Sequence, residues 1–294
     1  MQISANGVAL EVDDQGPAGG EPLLLIMGLG MQLIGWPEGF VRQLVARGFR
    51  VIRFDNRDIG LSQRFDHLGV PNLALDAMRH VAGLRIRSAY TLADLADDSA
   101  ALIEALGLPR AHVCGASMGG MVAQHLAARH PQRVKSLTLM MTTSGARQLP
   151  QPHWKLQAAM LSRPQAPREF ANLMAHYVRI ARLIGSPAYP AEEGELRGRL
   201  ERALRRSYRP AAVARQLAAI AADGDRRALL PRIAAPTQVI HGLQDPLVPV
   251  EGGRDLARRI PGAALDLIEG MGHDLPDALW PRFVSDIEAA AARA

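Results

Sequence analysis

A chain of 294 residues with 48% hydrophobic content can bury a large core, as one big domain or one domain carrying an insertion. No apolar stretch approaches the roughly 18 residues that span a bilayer. A single cysteine, Cys114, excludes an internal disulfide and fits a reducing, cytoplasmic setting. The net charge of +5 is uneven: residues 145–231 hold 15 Lys and Arg against 7 Asp and Glu, and the remainder 19 against 22. Without an aromatic-studded basic motif, that excess reads as solvated arginine faces on helices rather than a nucleic-acid surface.

The first residues lack a basic region followed by an apolar block, so no signal peptide is expected. Residues 2–12 alternate around Asn6-Gly7 and predict a hairpin. The continuous apolar run Pro22-Leu23-Leu24-Leu25-Ile26-Met27 is how a strand buried on both faces reads. Residues 36–47 suit a helix and residues 50–54 the next strand. Thr91 caps a helix with Leu92, Leu95, Leu102, Ile103 and Leu106 on one face, stopped by Gly107. Asp94, Asp97 and Asp98 fall largely off that stripe and read as a solvated acidic face. Strands follow at 111–114, where Cys114 reads as a small buried core residue, and at 134–140.

From residue 145 to 231 there is no strand signal, only helices punctuated by proline and glycine, the clearest from Pro167 to Leu183. A strand at 237–240, a helix at about 249–259, a strand at 263–268 and a helix at 277–292 then restore the alternation. The fold class is therefore α/β, a mostly parallel sheet flanked by helices. A helical cap, residues 145–231, is inserted after the sixth strand, and residues 1–144 and 232–294 form the core domain.

Gly115-Ala116-Ser117-Met118-Gly119 lies between a short apolar run and a helical pattern. A sharp strand-to-helix turn would force the Ser117 hydroxyl into the open, and the tightness of such a turn admits only small residues two positions either side. A serine nucleophile needs a general base and an orienting carboxylate. Parallel sheets collect functional groups at the carboxyl ends of their strands, which selects Asp245 after the strand ending at Ile240 and His273 after the strand ending at Ile268. His112, His125, His130, His153 and His176 lie within a strand, a helix or the cap, and His241 reads as a structural partner of Asp245. Glu269 and Asp274 are too near His273 in sequence to face its ring. Thr142, Thr143 and Ser144 leave no acid after the sixth strand.

Two backbone donors must meet the developing oxyanion. Met118, opening a helix, supplies one, and the loop Met27-Gly28-Leu29-Gly30 the other, through Leu29 with Gly30 as runner-up. Gly28-Leu29-Gly30 fails as a dinucleotide fingerprint because Leu33 takes the third glycine's place.

These motifs together resemble the capped α/β-hydrolase superfamily over essentially the whole chain. Asp55-Asn56-Arg57-Asp58-Ile59-Gly60-Leu61-Ser62 is similar to a structural turn common there, with Asp58 replacing a glycine. That turn, Met27 where a histidine often stands, and Gly270-Met271-Gly272-His273 followed by Leu275-Pro276 resemble the branch containing aclacinomycin methylesterase and related bacterial esterases. The resemblance implies a serine esterase acting on small to medium apolar or methyl esters, without metal or organic cofactor. It leaves open a lactonase, a cofactor-free perhydrolase, a carbon–carbon bond hydrolase or a catalytically silent ligand receptor. The expected partner is a small ester, with neither nucleic acid nor membrane, and a monomer or homodimer fits equally. Met31, Leu33, Trp36, Trp154, Met160, Phe170, Met174 and Tyr177 are candidates for an apolar substrate wall.

Overall fold

The computed structural model describes the chain except Gly83, Arg163, Pro167, Arg168 and the side chains of His80 and Val81. The elements, in order, are β1 (Gln2–Ala5), β2 (Val8–Gln15), β3 (Glu21–Ile26), α1 (Glu38–Ala46), β4 (Phe49–Phe54), α2 (Leu73–Val81), α3 (Leu92–Ala105), β5 (Ala111–Ala116), α4 (Met118–Arg129) and β6 (Val134–Met140). Then come α5 (Trp154–Leu161), α6 (Phe170–Ile184), α7 (Glu193–Arg206), α8 (Pro210–Asp223), β7 (Thr237–Gly242), α9 (Glu251–Arg259), β8 (Ala264–Ile268) and α10 (Trp280–Ala291). The strands form one sheet in the order β1-β2-β4-β3-β5-β6-β7-β8. Pairing is antiparallel for β1 with β2 and β2 with β4, and parallel elsewhere.

Local sequence accounts for most of these boundaries. Asn6 and Gly7 both take positive φ, 53° and 72°, the turn that matches the twist of paired strands. Thr91 caps α3 through a reciprocal pair of bonds with Asp94, and Gly107 follows the helix at φ 70°. Along β3, Leu24 and Ile26 enter the core under α3 and α4 while Leu23 and Leu25 enter the one under α1 and α10. A strand clothed on both faces has no polar side to show, hence its unbroken apolar run. Cys114 is buried there too, and burial pushes its thiol pKa up.

The long helix after β6 runs from Phe170 to Ile184, and its expected start at Pro167 lies outside the described residues. Helix α2 is not anticipated at all. It buries Asp76 while Leu75 and Met78 face solvent, so these apolar residues do not mark the face it buries. Among the described residues no helix is long and apolar enough to cross a membrane.

The charged residues hold the larger surprise. Asp98 is not part of a solvated face: it is buried and takes both Nε and Nη2 of Arg57. Nor are all the arginines of the helical insert α5–α8 solvated. Arg215 of α8, 1% exposed at its side chain, grips the fully buried Asp58 carboxylate at 2.6 and 2.9 Å. Arg206 of α7 reaches Asp55 at 2.7 Å, and Arg209 donates to the carbonyls of Asp58 and Ser62. Asp58 sits at φ 75°, and the Tyr90 hydroxyl and the Phe65 amide complete its shell. Burial works against its charge, but Arg215 and the Phe65 amide still hold its pKa below the usual carboxylate range. The residue standing where a glycine is customary is thus the buried anchor of the insert. Elsewhere the reading holds: Arg197 and Arg205 pair with glutamates one turn back on an exposed face.

Arg215→Ala leaves Asp58 buried and uncompensated, so urea denaturation should register a loss of about 3–5 kcal/mol. A second prediction concerns α10. Asp286 faces Asp266, its Oδ2 is buried with no partner among the described residues, and burial together with the neighbouring carboxylate pushes its pKa up from 3.8 to about 7. The folded chain holds that proton more tightly than the unfolded one, so this contribution to stability is complete below 3.8 and fades as pH rises to about 7. Melting temperatures of wild type should therefore fall relative to Asp286→Asn across that window, and parallel curves would contradict the arrangement.

Candidate active site

The site grows from the junction of β5 and α4. Ser117 sits there at φ 55° and ψ −120°, a conformation non-glycine residues rarely adopt. The flanking glycines are dictated by space. A Cβ on Gly115 would collide with the carbonyl of Gly119, and one on Gly119 would collide with the carbonyl of Ile26 at the end of β3. The turn is held by the Ser117 amide donating to Met140 O at 2.9 Å and by Thr142 Oγ1 donating to Ser117 O at 2.7 Å.

Beyond β7, Asp245 Oδ1 accepts the Leu247 and Val248 amides at 2.9 and 2.8 Å, which turns Oδ2 toward His273. His273 Nδ1 lies 2.7 Å from that Oδ2 and Nε2 lies 3.0 Å from Ser117 Oγ. A carboxylate oxygen can only accept, so Nδ1 carries the proton and Nε2 offers a lone pair to the hydroxyl. The three side chains, spread over 117–273 in sequence, form one continuous relay. His241 stands behind it, buried, with Nε2 on Val248 O at 2.8 Å and 3.6 Å from Asp245. Burial, outweighing the nearby Asp245, lowers its pKa and favours the neutral ring.

The glycine loop after β3 closes the other side. A Cβ on Gly28 would lie 3.2 Å from Ser117 Cβ, so this backbone passes directly over Ser117. The Gly30 amide donates to Gln216 Oε1 at 2.9 Å and is spoken for. The Leu29 and Met118 amides have no acceptor among the described residues. Both are free to meet an anion, and Met118 adds the positive end of α4.

Ser186 and Gln216 are residues that sequence reasoning misses. The His273 amide donates to Ile184 O at 2.7 Å, and Ser186 Oγ accepts the Gly272 amide at 2.8 Å while donating to Asp274. The end of α6 thus supports the histidine loop. Burial raises the pKa of Asp274 despite the Ser186 bond. Gly185, Ser186 and Pro187 signal a helix stop, but nothing local says which loop that stop will meet.

The apolar wall needs correction. Trp36 is fully buried, stacked on Phe40 at 5.9 Å in the core beneath α1, and Arg53 Nη1 donates to its carbonyl at 2.7 Å. Trp154 is 67% exposed with Lys155 over its ring, and Phe170 lies open under Arg205. Trp36 therefore packs in the core, while Trp154 and Phe170 are open to solvent. Leu33 is buried, Met160 half-buried and Met31 largely exposed, while Met174 is buried on α6. Tyr177 is half-buried, edge-on to Tyr208 at 6.3 Å, with its pKa pushed up to about 12 by burial and by Tyr208. Among the described residues no group of three or more His, Cys, Asp or Glu is disposed to hold a metal ion.

A sheet of this topology with such a turn defines a class. The family model for the alpha/beta hydrolase fold matches residues 21–277, and the chain belongs to that family. It is 30% identical over 299 residues to rhodomycin D methylesterase DauP of Streptomyces sp. (strain C5), and 30% identical over 298 residues to rhodomycin D methylesterase DnrP of Streptomyces peucetius. Each alignment covers 94% of this chain and 93% of the relative. The solved enol-lactonase from Burkholderia xenovorans LB400 superposes with a TM-score of 0.75 at 22% identity, covering 99% of this chain and 100% of its own, a likeness of fold.

If the turn depends on the contact with β3, Gly119→Ala must displace the Ile26 carbonyl. It should cost about 3 kcal/mol, read from the urea midpoint, and an unchanged midpoint would contradict the packing.

Proposed function

We propose that this protein is a carboxylic ester hydrolase acting through a Ser117-His273-Asp245 triad and an acyl-enzyme. The observation that carries the reading is the continuous relay, 3.0 Å from hydroxyl to imidazole and 2.7 Å from imidazole to carboxylate, at a serine held in a strained turn. Ser117 Oγ attacks the ester carbonyl carbon while His273 Nε2 takes its proton. The carbonyl electrons move onto oxygen, where the Leu29 and Met118 amides receive them, each such donor being worth about 3–4 kcal/mol of barrier. The tetrahedral adduct collapses, His273 gives its proton to the departing alkoxide, and the acyl group stays on Ser117. Water then repeats the sequence, deprotonated by His273, and releases the acid. Asp245 holds the imidazole in the working tautomer throughout.

The relatives named as methylesterases, aligned over nearly the whole chain, favour a methyl ester. In this reading the insert α5–α8 is the cap over the site, with Met174 and Tyr177 of α6 as its substrate-facing residues. The substrate is a small molecule free in solution, and the chemistry draws on side chains and backbone alone.

Ser117→Ala should lower p-nitrophenyl ester turnover at least about 10⁴-fold without altering the unfolding curve. An alkyl fluorophosphonate should add one label per wild-type chain, at Ser117. Retained turnover in the variant would overturn the assignment.

A further inference from the structure

Gln216 is fully buried on α8 and belongs to neither the relay nor the oxyanion donors. Its Oε1 accepts the Gly30 amide at 2.9 Å. Only the oxygen of a side-chain amide can face an N–H, so that bond fixes the orientation of the group and turns Nε2 the other way. Nε2 is buried with no acceptor among the described residues. A glutamine with one end bonded and the other orphaned gains little stability over an apolar side chain of similar shape, since each strands one polar group, Nε2 in the one case and the Gly30 amide in the other.

What the bond does is local. Gly30 directly follows Leu29, whose amide is free and lies in the loop that crosses the nucleophile. Peptide units are rigid planes, so once the Gly30 N–H is tied to α8 only the φ and ψ of Leu29 separate it from the plane carrying the Leu29 N–H. The same helix presses Val213 against Gly30, 2.9 Å from where a Cβ would stand. Gln32, two residues on, bonds the carbonyls of Ala203 and Ser207 at the end of α7. The loop is gripped by the insert at two points, and Gln216 is the grip on the backbone beside Leu29.

We propose that Gln216 is a positioning residue, which aims the Leu29 N–H at the oxyanion by holding the Gly30 amide. The proposal rests on the esterase reading, and its cost is the stranded Nε2. A residue kept for packing alone would leave turnover indifferent to the loss of its amide oxygen.

The test compares Gln216→Leu, which removes the acceptor, with Gln216→Glu, which keeps one. Steady-state kinetics on a p-nitrophenyl ester, inhibition by an alkyl boronic acid that forms a tetrahedral adduct on serine, urea unfolding and amide exchange of ¹⁵N-glycine-labelled protein are read on each. Gln216→Leu should lower kcat about 10- to 100-fold with KM little changed. Boronic acid affinity should fall by a similar factor, Gly30 exchange should accelerate, and the urea midpoint should move little, since one orphaned polar group replaces another. Gln216→Glu should recover most of kcat and the Gly30 protection. Wild-type kcat and boronic acid affinity in Gln216→Leu would overturn the proposal, as would a kcat loss that follows lost stability without rescue by glutamate. A wild type inert to esters and to the boronic acid would instead sink the esterase reading. Gly30 exchange would then still decide the positioning bond, and equal exchange in wild type and Gln216→Leu would refute it.

Discussion

Everything at the site follows from the absence of room around one backbone turn. With no space for a Cβ at position 115 or 119, the chain can fold back from β5 into α4 so tightly that Ser117 is left at positive φ with its hydroxyl projecting from the rim of the sheet. The same closeness puts the first amide of α4 beside that hydroxyl and the carbonyl end of β3 against the helix, which brings Gly28 over Ser117. Strain of this kind, of order 1–3 kcal/mol for a residue in a sparse φ/ψ region, persists only where surrounding packing overdetermines it. Here the sheet does so through Met140 and Thr142.

The helical insert is bound to the site more intimately than a detachable cover would be. Its α7 and α8 bond the acidic turn at Asp55 and Asp58, α8 holds the loop of Leu29 and Gly30, and the end of α6 holds the loop of His273. The electrophilic and basic halves of the proposed chemistry thus share one scaffold. For the insert to lift as a unit, the His273–Ile184 and Gly30–Gln216 bonds must break together.

Legibility in the sequence followed the range of the interaction. Asn6-Gly7, the Thr91 cap, the apolar run of β3 and the Gly-x-Ser-x-Gly turn are each decided within a few residues, and each could be read. The placing of Asp245 and His273 needed only the rule that parallel strands present their following loops at one edge. Side chains whose surroundings are assembled from distant segments could not be read. Asp98 looked solvated because its partner Arg57 is 41 residues away, and Arg215 looked like one arginine among many until Asp58 met it. Trp36 and Trp154 illustrate the converse, apolar residues in suggestive places whose direction only packing decides.

The central claim is that one hydroxyl, one imidazole and two backbone amides converge on a single reacting carbonyl group. A high-resolution crystal structure of the protein after reaction with an alkyl fluorophosphonate tests it most directly. The account predicts phosphorus bonded to Ser117 Oγ, with one phosphoryl oxygen about 2.7–3.1 Å from both the Leu29 and Met118 nitrogens and the His273 ring still on Asp245. Phosphorus on any other residue, or an oxygen turned away from those two amides, would contradict it.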